Sequence, residues 1–541
     1  NTVNITTNGG YFVAGGGAGD IGGVDGILGN DDGTGADDTF AYAVGAGDSS
    51  GIILYNANIT TSGGDAIFHG YAKGAGTNDG AIFVNSQIRS GDGHISISGT
   101  STGDSASTPT GVGLSGSSSQ TVLETAGGNI DIIANSTNDD ALFIYEDVSI
   151  TTIDGNITIT STSSAGDDIS ASHTGGINQI ISSTNGNVTL NIDTAAIDNM
   201  FSISAGDTLS IFTIDPTTTI GLGTGSTGVL NLNDDELAIL SAGNKIVIGE
   251  DGVQTGDMDV DLWDLSSTSF DLELYANDIT FGGIDMGAGN ILVHAQDNGG
   301  DLGELDIDGN ITRNVDGTAL LDLRADNNIT SSTGVSITAT DTNSDTDGDE
   351  ETDADSLTVI LNANRDGIAG DDEGRIHLQS FSMTTLGGNI IMGGGNDPQN
   401  TATYGSQAIV LDSTNIATAA GNIYITGMGN TGTGGNNYGV AFTNNSDIVT
   451  TSGDMIITGT AQSTGTNSAG IYARTVTFTT ETGRIEMAGE AQGDNTDNNG
   501  IHGSSGFDIR STGTGAGVGD IILTGTTAGD AAAIFIEGYR D

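Results

Sequence analysis

One phrase recurs along most of this chain: a short apolar run, a second short strand closing on a glycine turn, then an Ile-x-Ile strand. It reads Ala81-Ile82-Phe83-Val84, then Ile88 through Gly93, then Ile95-Ser96-Ile97, and returns from Ala141 as ALFIYEDVSITTIDGNITITST. Self-similarity at this spacing marks a stacked repeat architecture and constrains the fold more than any single residue does. Anchored on the turn glycine, copies fall at Gly64, Gly93, Gly128, Gly155 and Gly186, and again at Gly388, Gly421, Gly453, Gly483 and Gly519. Five residues before most of these sits an apolar residue: Ile59, Ile88, Leu123, Ile150, Ile181, Met383, Ile416, Ile448 and Phe478. A fixed offset inside a variable period assigns the length variation to one loop per repeat, the polar tract after the third strand, as in those ending at Gly470 and Gly500.

The expected fold is all-β, a single elongated parallel β-helix with three short strands and one variable loop per coil. Alternation in Ile130-Asp131-Ile132, Ile423-Tyr424-Ile425 and Ile485-Glu486-Met487 sends every second side chain to one interior. One coil cannot bury its apolar face alone, so stability must come from stacking. At about 31 residues per coil the chain makes roughly 17 coils, on the order of 80 Å of stacked strands. The pairs Gly155-Asn156, Gly186-Asn187 and Gly421-Asn422 are expected at corners that need positive φ. Along this one continuous solenoid, residues 1–194 carry the repeat with an acidic, Gly-rich insertion near 15–40. Residues 195–370 follow a looser pattern with an acidic insertion at 341–355, and residues 371–541 return to the regular phrase.

Composition agrees. Gly supplies 88 of 541 residues and Pro only 3, which suits thin coils with many corners. Eleven Lys and Arg against 71 Asp and Glu give a net charge of −60, a field that repels nucleic acid and anionic membranes and tolerates self-association only where cations screen it. Without Cys there are no disulfides and no thiolate metal sites, which is compatible with export. No run of 18 apolar residues exists, so no membrane-spanning helix is expected. The sequence opens at Asn1 with neither an initiator Met nor a signal peptide, as expected of a processed chain or a piece of something longer.

Between residues 195 and 370 the stretch Thr219-Ile220-Gly221-Leu222-Gly223, then Gly228 through Gly243 (GVLNLNDDELAILSAG), then Ile246-Val247-Ile248-Gly249, resembles the repeat block of filamentous-haemagglutinin-like bacterial exoproteins. It continues in kind through Leu272-Glu273-Leu274, Ile279-Thr280-Phe281 and Gly289 to Val293. The resemblance implies a secreted, surface-associated β-helical fibre used in adhesion or in extracellular matrix, located outside the cell or on the bacterial surface. No catalytic residue carries over, because that motif is structural.

Two acidic stretches are candidate calcium sites. Asn343, Asp345, Asp347, Asp349 and Glu351 place oxygen ligands at alternate positions around Gly348, as at the start of calcium loops. The carboxylate expected further on falls on Ala354, beside Asp353 and Asp355. Asp37, in GNDDGTGADDTF, half-matches the calcium-binding turn of β-rolls. Against both stands the reading of a solvated acidic loop. Asn156, Asn187, Asn310 and Asn328 each begin an Asn-(Ile/Val)-Thr sequon, and a corner Asn before an apolar-Thr strand yields the same match.

An enzyme is not expected. Parallel β-helices host polysaccharide lyases and hydrolases, but 71 acidic residues make any carboxylate pair uninformative. The basic residues are dispersed singly (Arg313, Arg324, Arg365, Arg375, Arg474), and the six His form no metal-spaced pair. The ends are more telling. Thr2, Val3 and Ile5 read as a second strand, and Ala533, Ile534, Phe535 and Ile536 as a first strand whose coil is not completed. Head-to-tail stacking of identical copies, or continuation into flanking regions of a longer chain, accounts for both. The alternative is a binding module whose polar loops ending near Gly439, Gly470 and Gly500 contact glycans or a cell surface.

Overall fold

The computed structural model describes residues 2–15, 43–46, 50–73, 79–102, 109–174, 179–297, 303–340, 356–365, 374–514 and 518–538. Among them the fold is all-β, a solenoid-like set of long parallel sheets with one short helix, Asp234–Ala238. Each strand of one repeat pairs in parallel with the same strand of the next. Val440 lies beside Ile471, Ile448 beside Phe478, and Ile457 beside Met487. The chain divides into two compact units, Asn1–Thr218 with Val229–Gly249, and Thr219–Gly228 with Glu250–Asp541.

A repeat of the second unit shows how the phrase folds. Strand one is Tyr438–Thr443, strand two Ser446–Thr450 and strand three Met455–Ala461; the next repeat supplies Ala469–Thr480, bent at Thr475, and Ile485–Ala491. Burial alternates along each strand, and the inward side chains Ile448, Ile457, Ile471, Phe478 and Met487 are fully buried. In the first unit Ile95, Ile130, Ile157 and Val188 form one such inward column.

The turn glycines stack on one another. A Cβ at Gly453 would penetrate the carbonyl oxygen of Gly421, and one at Gly421, Gly483, Gly93, Gly128 or Gly155 would do the same to the glycine one repeat earlier. This corrects the expectation that Gly155, Gly186 and Gly421 are needed for positive φ, since none of them adopts it. Close approach of two backbones is the reason. Positive φ occurs instead two residues before some turn glycines, at Asn8, Ser62, Gly91 and Leu386, and at the corner between strands one and two, at Asn56, Asn85, Ser413, Asn444, Thr475 and Ser505. Asn tolerates that conformation better than most residues with a side chain.

Three residues before every turn glycine except Gly519 is a Ser or Thr, and its hydroxyl serves the turn. Thr450 Oγ1 accepts from the Gly453 N–H at 3.0 Å and donates to the Gly421 carbonyl at 3.4 Å; Thr152, Ser183 and Thr418 repeat both bonds. These hydroxyls are buried, and so are the backbone groups they satisfy. The residue after the glycine forms a second ladder. Asn156 Oδ1 accepts from the Asn187 N–H and Asn187 Oδ1 from the Thr208 N–H, while Asp65 and Asp454 do the same for His94 and Arg484.

Two outcomes test these columns in the second unit. Gly453→Ala is expected to cost about 1–3 kcal/mol through overpacking, whereas Gly434→Ala, where a Cβ meets nothing within 4 Å, stays near neutral. Thr450→Val should cost about 1–3 kcal/mol by stranding the buried Gly453 N–H. Urea midpoints by circular dichroism measure both.

Candidate functional site

Assembly residues expected from the sequence lie on exposed strands. Val3–Thr6, which follows Thr2, pairs with Ala57–Thr60, and Ile534–Glu537, which follows Ala533, pairs with Ile501–Ser504. Inward positions elsewhere are closed: Ile59 and Ile501 show no exposed surface. Val3, by contrast, is 56 % exposed, Ile534 and Phe535 39 %, and Ile536 54 %, with Ile5 half-buried. The apolar exposure continues through Tyr11, Val13, Ile53 and Tyr55 in the first unit and Ile521 and Ile522 in the second. Of these, Val13, Ile53, Ile522 and Phe535 stand in outward rows beside Ile67, Ile82, Glu486 and His502, whereas Ile534 and Ile536 continue the rows of Ile501 and Gly503, and Ile52, in the row of Ala81, is buried.

Strands and turns of the first unit bring carboxylates into a file beside strand one. Asp79 accepts from the Thr110 N–H at 2.7 Å, Asp140 from the Asp167 N–H at 3.0 Å, and Asp168 from the Thr194 N–H at 3.2 Å and from Ser163 and Asp193. Burial raises the carboxyls of Asp79, Asp139, Asp167 and Asp168 above their ordinary range, and repulsion from Asp140 and Asp139 adds to the effect at Asp167. A raised carboxyl favours the protonated folded form, so its contribution to stability is fully present below the ordinary value near 3.8 and is lost as pH rises. Asp215 and Glu146 shift downward through bonds with Thr217 and Thr174, but Asp215 is exposed and Glu146 only half-buried, so both weigh little. Asp167→Asn is expected to raise protection of Leu142–Thr152 in native-state hydrogen exchange at pH 7, with the gain shrinking toward pH 4.

In the second unit the fold gathers residues that the sequence scatters. Tyr275, His294 and Arg324 occupy one register column on the outer face of Asp271–Ala276, Ile291–Ala295 and Thr318–Ala325. His294 Nε2 lies 3.2 Å from Asp326 and its Nδ1 3.9 Å from Asp251; Arg324 donates to Asp322 at 2.6 Å, and the Tyr275 hydroxyl to Glu273 at 3.2 Å. Burial, then Glu273 and Asp251, push the Tyr275 phenol well up. Burial also pushes Asp326 up, but the His294 bond, the Asp297 N–H and Arg365 outweigh it and hold that carboxyl low. Arg324 and His294 face carboxylates, so this seam fastens the Glu250–Gln254 turn to the strands through Gln296, which accepts from the Gly252 N–H and donates to Asp251. Sequence spacing gave no sign of it, because the partners come from successive repeats.

Asn343, Asp345, Asp347, Asp349, Glu351 and Asp37 lie outside the described residues. Among the described residues no three His, Asp or Glu side chains are grouped so as to hold a metal ion. The sequon asparagines all act as corners: Asn156, Asn187, Asn310 and Asn328 accept the N–H of Asn187, Thr208, Ser336 and Arg375 through Oδ1. Beside the loops that precede strand one, Ser406, Gln407, Asn430, Thr431, Asn436 and Asn437 line a depression of about 300 Å³. Next to it Tyr438 stacks on Tyr472 at 4.6 Å, Tyr472 meets His502 edge-on, and His502 meets Phe535.

No described helix is long and apolar enough to cross a membrane. Comparison with protein-family models, with curated proteins and with solved structures found no match.

Proposed function

We propose that this is an extracellular structural protein, a segment or subunit of a bacterial surface fibre or adhesin stalk. Its parallel sheets wind as a single β-helix, and it is extended end to end by further coils, either of a second copy or of flanking chain. The observation that carries the reading is the parallel, in-register stacking of like strands from one repeat to the next, which closes inward columns such as Ile95, Ile130 and Ile157 or Ile457 and Met487. Parallel in-register pairing of like strands is an interface that propagates without closing. Resemblance to filamentous-haemagglutinin-like exoproteins supports a location outside the cell. On this reading the chemistry is structural rather than enzymatic, and calcium at Asn343–Glu351 and Asp37 is the ion that lowers repulsion between acidic segments.

A second reading, an adhesin that binds glycans or a host surface through its side loops, draws on the polar depression at Asn430–Asn437. The neighbouring rings favour it less: Tyr438 and Tyr472 lie nearly parallel, 11° apart, and spend a face on each other rather than on a sugar.

Electron microscopy of the purified protein, with calcium and with EDTA, tests the fibre reading. Filaments of uniform width that shorten on chelation are expected, and removal of residues 531–541 should abolish them while leaving the circular dichroism of the body intact. Filaments unchanged by that deletion would sink the reading, and isolated rods in both conditions would put the side loops first.

A further inference from the structure

We infer that His294 is a proton-operated clamp: as an imidazolium it holds Asp326 and Asp251 at once, and loss of its proton to solvent releases the Glu250–Gln254 turn from strand Ile291–Ala295. The device lies wholly within the second unit and works whether or not the chain builds a fibre.

The imidazole is seated between two carboxylates. Its side chain is 13 % exposed, with Nε2 3.2 Å from Asp326 Oδ1 and Nδ1 3.9 Å from Asp251 Oδ1. Among the described residues, the ion pairs of Asp251 and of Asp326 are both with His294. A neutral imidazole carries one N–H and one lone pair, whereas an imidazolium carries two N–H groups. With the proton on Nε2, a neutral ring serves Asp326 and turns the Nδ1 lone pair toward the Asp251 carboxylate; with the proton on Nδ1 it does the reverse. Either tautomer sets a lone pair against a carboxylate oxygen, and the charged ring alone suits both. The two ends are not held equally. Asp326 is largely buried and also accepts from the Asp297 N–H at 3.0 Å, whereas the Asp251 side chain is 68 % exposed and sits on a turn. Deprotonation therefore keeps the shorter contact and frees the Asp251 side.

The groups around the ring act in the same direction. From Asp271–Ala276 come Tyr275, edge-on to His294 with centroids 6.2 Å apart, and Glu273, which accepts the Tyr275 hydroxyl. From Thr318–Ala325 comes Arg324, the register neighbour of His294, whose guanidinium is bound to Asp322 at 2.6 Å. Burial raises the Asp326 carboxyl, but its bond to His294, the Asp297 N–H and the nearby Arg365 hold it below its ordinary value, so it stays ionised while the ring titrates. Loss of the ring proton thus leaves Asp251 beside Glu250, Glu273, Asp297, Asp322 and Asp326, with the guanidinium groups of Arg324 and Arg365 against them. What then ties the turn to the strand is Gln296, buried, which accepts the Gly252 N–H at 2.7 Å and donates to Asp251 at 3.3 Å. The Gly252 amide is therefore the reporter of the clamp.

Histidine side chains change charge between about pH 5 and about pH 8. Native-state hydrogen exchange of the full chain across that range, read by mass spectrometry on peptides covering residues 250–254 and corrected for the intrinsic rate at each pH, measures the clamp. Protection is expected to be about fivefold greater at the acid end than at the alkaline end. His294→Gln keeps a donor for Asp326 without the charge, and should show the lower protection at every pH. Asp251→Asn, on an exposed side chain, removes the carboxylate that the clamp acts on and should abolish the step as well, which decides the matter even where His294→Gln does not fold. His377→Gln, on another strand of the same unit, should leave the step in place. Protection of native protein that is level across the range overturns the clamp. So does a step that survives Asp251→Asn with the circular dichroism intact.

Discussion

Everything in this structure depends on one backbone laid parallel on another at the spacing of hydrogen-bonded strands. At about 4.8 Å between repeats, two chains that meet anywhere but along a strand have no room for a side chain between them. The turn glycines are the direct result, because at Gly421, Gly453 and Gly483 each Cα sits against the carbonyl below it. The same crowding recurs where strand three hands over to the loop: Cβ atoms at Gly427, Gly459 and Gly489 would strike the carbonyls of Gly439, Gly470 and Gly500. With these two columns fixed, the loops between them are free to vary in length without disturbing the register of the strands.

Stacking also gives some of the acidic residues a structural role. A backbone N–H at a turn needs an acceptor from the neighbouring repeat, and Asn and Asp supply one equally well. Asp65, Asn129, Asn156, Asn389, Asn422 and Asp454, each immediately following a turn glycine, all provide that acceptor. Asp193 serves Ile214 and Asp215 from the loop side in the same way. Some of the negative charge is therefore internal cement, and the raised carboxyls of Asp79, Asp139, Asp167 and Asp168 reflect the burial that comes with it.

What the sequence makes legible is what repeats. The glycine anchors, the apolar residue five positions earlier and the strand alternation give the row order and the inward residues, since each is a local pattern copied many times. The corner Asn residues were legible as structure, but not their mechanism: positive φ falls at Asn85 and Asn444, whereas Asn156 and Asn187 act through their side chains. The helix Asp234–Ala238 had a visible start signal, the capping box of Asn233 and Glu236, within a stretch otherwise read as strands. The seam of Tyr275, His294 and Arg324 was not legible, because its members are neighbours only through pairing between repeats of unequal length.

A net charge of −60 looks prohibitive for self-association, yet it is the wrong quantity to weigh. At physiological ionic strength the screening length is about 8 Å, which is less than two repeats at about 4.8 Å each. Carboxylates further along the chain barely sense a second copy, and only those beside the junction count. Among the described residues of the first and last strands, Asp508 is answered by Arg510, Val3–Thr6, Phe12–Ala14 and Ile52–Tyr55 contain no Asp, Glu, Lys or Arg, and Glu537 adds one carboxylate. Ile521, Ile534 and Ile536 are exposed, and covering such side chains would act over the same short range, at about 25 cal/mol per Å² of apolar surface. The balance at such a junction is thus set by a few local side chains rather than by the overall charge.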